Sequence, residues 1–254
     1  MDEVMEEYIS KLDFGPVTEY GDLTVIPIFS PLNGPQYLTM KEAMEQNLLV
    51  ITEVDEAGSV GELLVKNLAD IPVLLLDGEE IMGAKQNRVL NSTILVGARE
   101  EISIPVSCTE QGRWDYKSRC FSDSDVIAAH RVRMNKSVSV MDSLKYDGTY
   151  RSNQSGVWND IHQMSMEANL SSTTGAMKDV YKSRETDLSK YVDAFPYMDK
   201  QKGIMVLING EIAGLEAVSS ESSYKLIHDK LLRSYALDAI LSNTWVNMMK
   251  KLLS

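Results

Sequence analysis

Between about Val17 and Val106 the apolar residues come in short runs broken by Gly, Asp and Asn, which is how strands are punctuated. "LTVIPIF", "LLVITEV", "SVGELLVKN", "IPVLLLD", "TILV" and "EISIPVSC" read as strands, with one helix in "TMKEAMEQN". A hairpin is expected around Tyr20-Gly21-Asp22. Another is expected at Asp77-Gly78, because both central positions of a type I′ turn need a positive φ. From Ser122 to Pro196 the apolar spacing changes to three and four. "SDSDVIAAHRVRMNKSVSVMDSL", "SGVWNDIHQMSMEANL" and "TGAMKDVYKSRETDLSKYVDAF" therefore read as helices, with Ser122 or Asp123 capping the first and Ser155 the second. "GIMVLINGEIAGLEAV" returns to β around an Asn209-Gly210 turn, and the last thirty residues form a long helix with basic residues near its end, where they complement its dipole.

This order predicts an α+β fold: a hairpin-rich antiparallel sheet with a helical segment and a C-terminal long helix. One domain over residues 1–254 is expected, β-rich at 17–121, helical at 122–196, and a β-hairpin plus helix at 203–254.

One stretch breaks the pattern. "GEEIMGAKQNRVLN", residues 78–91, follows a buried strand yet places Lys85, Gln86, Asn87 and Arg88 in a row. If it continues as a strand, neither face is cleanly apolar. Two readings follow. Lys85 and Arg88 protect a sheet edge and pair with Glu79 and Glu80 in solvent, or the run lines a polar pocket for a phosphate or carboxylate. Gly83-Ala84 has little bulk, so a ligand or another backbone can approach there.

Charge narrows the choice of ligand. Thirty-seven acidic residues against 25 basic ones give −12, which repels nucleic acid polymers and anionic membranes at long range but leaves room for a small anion held by local cations. Two cysteines without CxxC spacing indicate neither a zinc site nor a disulfide framework and fit a reducing cytoplasm. No apolar stretch approaches about 20 residues, so no membrane span is expected. His130, His162 and His228 stand apart, so no zinc and no resident cofactor are expected. A weak Mg²⁺ held by Glu79, Glu80 or Glu110 together with a ligand phosphate remains compatible with the sequence. GxSxG and Walker A patterns are absent.

Three further segments carry chemistry. "CTEQGRW" puts Glu110, Arg113 and Trp114 at one strand end, suited to acid/base work, anion pairing and ring stacking, or else forms a surface turn. "AHRVRMNKS" sets His130, Arg133 and Lys136 on one helix face, read as a solvated face. In "NQSGVWNDI", Trp158 is expected in the core, and Asn153, Gln154 and Asp160 as caps or pocket residues.

Taken in order, "DGEEIMGAKQNRVLN", "IPVSCTEQGRW", "NQSGVWNDI", "INGEIAGLEAV" and "KLLRSYALDAI" resemble the ADP-ribosylglycohydrolase and rhodanese-phosphatase associated protein domain family over roughly Ile71 to Ile240. The resemblance implies a role with NAD-derived or ADP-ribose-like nucleotides, in nucleotide signalling or phage defence. It emphasises Gly83, Lys85, Gln86 and Arg88, then Glu110, Gly112, Arg113 and Trp114, then Gln154 and Trp158, and Arg233 with Ser234 and Tyr235. The leading expectation is a protein that binds and processes such a nucleotide. Lys85, Arg88 and Arg113 would neutralise the pyrophosphate, Gln86, Gln154 and Arg233 would add contacts, Trp114 would stack, and Glu110 or Glu80 would act as the general acid/base of a hydrolase. The charges are expected in a wet cleft, so that their removal spares stability. The rivals are a non-catalytic nucleotide sensor and a structural protein whose polar run builds a homo-oligomer interface.

Overall fold

The computed structural model describes residues 3–55 and 60–252. The first half runs α1 (Glu3–Ser10), β1 (Asp13–Phe14), β2 (Thr18–Tyr20), β3 (Leu23–Phe29), β4 (Leu38–Thr39), α2 (Met40–Glu45), β5 (Leu49–Glu53), β6 (Glu62–Asn67), β7 (Val73–Leu75), β8 (Glu79–Gly83), β9 (Arg88–Leu90), β10 (Ile94–Val96), β11 (Glu101–Cys108) and β12 (Phe121–Ile127). The second half runs α3 (His130–Asp147), α4 (Gln154–Glu167), α5 (Met177–Ser183), α6 (Glu185–Ala194), β13 (Gly203–Ile208), β14 (Glu211–Ala217) and α7 (Glu221–Leu252). The fold is α+β with antiparallel sheets and a closing C-terminal helix. The β4–β7 pair is parallel. The basic side chains near the end of α7 lie outside the described residues.

Six strands pair in the order β12-β8-β9-β11-β6-β5. A bridge between Thr52 in β5 and Cys120, just before β12, joins the two edges, so this sheet closes on itself as a small barrel. Alternation sends Ile51, Leu63, Val65, Ile81, Leu90 and Ile104 into one apolar core, which α2 and the β10-β7-β4 sheet cover. A second core lies between the helices and the sheet of β3, β13 and β14. The β8–β9 hairpin serves both, because Val89 points into the second core while Ile81 and Leu90 point into the first. Its two strands are interior to the sheet, so the edge-strand reading of Lys85 and Arg88 is overturned.

Several local expectations are met. Tyr20 pairs with Leu23 across Gly21-Asp22. Asn209-Gly210 closes β13 on β14, with φ of 53° and 81°. The helix expected in "TMKEAMEQN" is α2, which Thr39 and Glu42 close with a capping box. Asp77-Gly78 is a tight turn, in which Glu79 N–H donates to the Leu76 carbonyl at 3.1 Å, but it is not a hairpin. It carries the chain from the β10-β7-β4 sheet into the barrel. Gly78 has φ +83°, and a Cβ there would meet the Arg133 side chain at 2.3 Å.

The helical segment starts later than its spacing predicts. Ser122 and Asp123 lie in β12 rather than capping a helix, and α3 begins at His130 behind Ala129, which makes no side-chain cap. Asn153, not Ser155, caps α4 by accepting from Gly156 N–H. The His130-Arg133-Lys136 face is not solvated either. Arg133 and Lys136 are buried, Arg133 against Glu216 at 2.6 Å and Lys136 against Asp77. An ammonium without exposed surface requires its partner. Asp77→Ala is therefore expected to destabilise the protein by about 3 kcal/mol in urea unfolding, and Asp77→Ala/Lys136→Met to recover most of that loss, since no charge then stays buried alone.

Candidate functional site

The polar run is the tip of the β8–β9 hairpin. Glu80 pairs with Val89 and Ile81 with Arg88, so the chain must reverse over residues 82–87 at the open end of the barrel. Gly83 takes φ +126° and Ala84 +35°. A Cβ on Gly83 would come within 2.9 Å of the Cys120 carbonyl, which explains glycine there.

Arg113 holds this tip. Its Nε donates to Glu110 at 2.8 Å, Nη1 to the carbonyls of Ala84 and Asp115 at 2.7 and 2.8 Å, and Nη2 to the Gly83 carbonyl and Asn87 Oδ1 at 3.2 and 3.0 Å. Every donor direction of the guanidinium meets a protein acceptor. Arg113 is thus a buried tie between the hairpin tip and the 110–115 loop, not a free cation for a pyrophosphate. Glu110 is held in turn by Arg113, by Thr174 Oγ1 at 3.0 Å and by Asn87 N–H at 3.3 Å. Burial works to raise the Glu110 pKa, and the hydrogen bonds from Arg113 and Thr174 outweigh it, leaving the carboxyl lowered and ionised.

Lys85 and Arg88 belong to the same tip and lie against aromatic rings. Lys85 Nζ lies 5.3 Å from the Trp114 ring centre and 5.0 Å from that of Tyr116, and the Arg88 guanidinium lies 5.7 Å from Trp114. Both rings are nearly half exposed, at 47% and 46%, so they roof the cations and still face solvent. Gln86 accepts from Arg88 Nη1 at 2.9 Å. Arg88 has no exposed surface, and its Nη2 lies 3.8 Å from Glu53 Oε1. Arg88 Nε, Arg88 Nη2 and Glu53 Oε2 are buried without a hydrogen-bond partner. Beside them opens a cleft of about 840 Å³ lined by Thr52, Glu53, Asp55, Tyr116, Lys117 and Arg119, among others.

The remaining candidates separate. Gln154 uses both ends of its amide on the Cys108 backbone, accepting at 2.7 Å and donating at 2.9 Å, and so clamps α4 to β11. Arg233 pairs with Glu185 on α6 and borders a different depression, with Lys41 and Asp125. Trp158 is half-buried. Glu80 is fully buried, accepts from Thr109 Oγ1 at 2.6 Å, and burial raises its pKa to about 7. With no exposed surface it has no route to a ligand in the cleft. Two groups were not singled out by sequence reasoning, Glu53 at the end of β5 and Tyr116. The signal for Tyr116 was its place in "RWDYK", two residues past Trp114. Cys108 pairs with Arg88 across β11 and β9, yet burial pushes its thiol up to about 11, away from a reactive thiolate. Among the described residues no group of three metal-ligating side chains occurs, and no helix is long and apolar enough to cross a membrane.

Fold and site together define an α+β protein built on a closed antiparallel barrel whose open end carries a buried, charged hairpin tip under two aromatic rings. The chain belongs to the ARG and Rhodanese-Phosphatase-superfamily-associated Protein domain family, whose model matches residues 11–251. No curated protein and no solved structure matches it.

The buried ties correct the expectation that charge removal spares stability. Arg113→Ala is expected to cost about 3 kcal/mol, because it removes the buried cation paired with Glu110 and leaves several carbonyls without their donor. Equilibrium denaturation checks this. Glu80 gives a pH signature. Its folded pKa of about 7 lies above the reference value of 4.5, so the unfolded chain loses this proton first and stability falls as pH rises from about 4.5 to about 7. Glu80→Gln removes that penalty, so its unfolding midpoint should gain on the wild type across that window and hold the gain above it.

Proposed function

We propose that the protein binds a small anionic ligand carrying a planar ring, of the nucleotide class, at the open end of the barrel. The observation that carries this reading is the pair of half-exposed rings, Trp114 and Tyr116, set over the Lys85 ammonium at the barrel end. Trp114 and Tyr116 offer ring faces for stacking, and Lys85 offers a positive charge to an anionic ligand oxygen. Arg88, sealed from solvent like Glu80, contributes its charge beneath Trp114 without touching the ligand. Taking the first word of the family description as ADP-ribosylglycohydrolase makes ADP-ribose and its NAD-derived relatives the first ligands to test.

The geometry favours binding over turnover. Glu110 is ionised and committed to Arg113, and Glu80 is sealed, so neither carboxyl is free to exchange a proton with a ligand in the cleft. A sensor or sequestering module fits this arrangement better than a hydrolase.

Calorimetric titration with ADP-ribose, NAD and cyclic ADP-ribose, followed by mass spectrometry of the mixtures, tests both parts. Binding without new products is expected, and Lys85→Ala and Trp114→Ala should each weaken it by at least tenfold, roughly 1.4 kcal/mol. Arg233→Ala should leave it unchanged. Product formation would restore the hydrolase, and equal affinity in all three variants would remove the site.

A further inference from the structure

A second cleft lies away from the barrel end, and it has two unlike halves. The inner half is a chamber of about 380 Å³ walled by Leu74, Leu76, Leu95, Val218, Ile227 and Leu231. The outer half is a polar mouth of about 970 Å³ that carries Lys200, Lys202 and Lys225. Pro35, Tyr37 and Ser219 belong to both. Two chain segments run from one half into the other. Glu216, Ala217 and Val218 line the chamber and Ser220, Glu221 and Ser222 the mouth, with Ser219 between them, and α7 lines the mouth with its first turn and the chamber with Ile227 and Leu231. The halves are therefore one groove, running past the hydrogen bond of 3.4 Å from Ser219 to Tyr37.

The chamber is apolar on its walls but not throughout. Asp77, Thr93, Arg133 and Glu216 line it as well. Arg133 is 7% exposed, and its Nε is buried without a hydrogen-bond partner, although Nη1 and Nη2 reach Glu216 and Ser234. The carboxylates of Asp77 and Glu216 keep about a quarter of their side-chain surface. An alkyl chain filling this space would strip water from those groups and return no hydrogen bonds, whereas a heterocycle places its faces on the leucines and its edge atoms on the polar groups. The mouth asks for an anion. Its three lysines face two acids, Asp199 and Glu221, and the Glu221 carboxylate already accepts from the Tyr197 hydroxyl and Lys200 N–H. Lys202 is anchored by the Leu32 carbonyl and Asn33, while Lys225 Nζ lies 5.5 Å from the Tyr197 ring centre, so Lys200 and Lys225 are the cations a phosphate at the mouth would meet. The first turn of a 32-residue helix adds its dipole to that field.

We infer that this groove is a binding site for a heterocyclic phosphomonoester of nucleoside monophosphate size, with the ring in the Leu74–Leu231 chamber and the phosphate at Lys200 and Lys225. It shares no residue with the cleft beside Tyr116 and does not rest on the function proposed there.

The test uses the full chain carrying Lys85→Ala/Trp114→Ala, so that the first site is silent, with folding checked by thermal unfolding. It is titrated with the four ribonucleoside 5′-monophosphates, ribose 5-phosphate, adenosine and hexyl phosphate. At least one nucleoside monophosphate should bind tenfold or more tighter than each of the other three probes. Leu95→Glu in the chamber wall and Lys225→Glu at the mouth, both at exposed positions, should each weaken it by a further tenfold. Failure of all four nucleotides to bind, equal binding of ribose 5-phosphate or hexyl phosphate, or indifference to both variants would overturn the inference. If the first site does not exist, wild type and double variant titrate alike while the groove variants still lose binding, so the two proposals fail separately.

Discussion

The open end of the barrel depends on one buried guanidinium. A hairpin tip with two positive φ angles in succession, at Gly83 and Ala84, leaves backbone carbonyls pointing away from any strand partner. Buried carbonyls must find donors. Arg113 supplies them in a fixed fork, taking three carbonyls, the Asn87 side chain and Glu110 at once. Lysine could not do this, because its ammonium is a compact charge without a planar array of donors. With the tip held, Lys85 lies beneath Trp114 and Tyr116 and Arg88 beneath Trp114. The cation that could meet a ligand, Lys85, is thus placed by one that cannot.

The two arginines of the tip illustrate different fates for buried charge. Arg113 is complete, so its burial is consistent with a structural role. Arg88 is equally buried but incomplete, and its nearest acid, Glu53, is 3.8 Å away with an unpartnered oxygen of its own. A polar group left half-satisfied in the interior bears a cost in stability.

Much of this was legible in the chain and some was not, for reasons that lie in particular residues. The β-hairpins at Gly21-Asp22 and Asn209-Gly210 are local, and turn chemistry was enough to find them. Asp77-Gly78 carries the same chemistry, but a dipeptide says how sharply the chain turns, not which strands pair afterwards. Residues 122–127 imitated a helix because β12 is bulged: Asp125 takes φ +61° and its register with β8 shifts between Asp123 and Ile127. That shift erases the period of two. Arg133 and Lys136 looked solvated because spacing reveals a face but not its cover, which comes from Glu216 and Asp77, 83 and 59 residues away. At the site, the density of Lys85, Gln86, Arg88, Glu110, Arg113 and Trp114 was visible and the structure brings these six together. What residue types could not reveal is that the main partners of Arg113 are carbonyls, which every residue has.

Net charge and local charge then act at different ranges. The remainder of an acidic chain sets a repulsive field that a polyanion feels along its whole length, while screening confines each lysine or arginine to about 8 Å at physiological salt. A polymer would meet the field before it met Lys85 or Arg88. A small anion of the kind proposed would cross that field once and then meet the local charge of Lys85. The exposed faces of Trp114 and Tyr116 would add to this for a ligand with a ring and would give an inorganic anion nothing beyond the charge. On that proposal, a cationic, ring-roofed end on an acidic protein selects for size before any hydrogen bond is made.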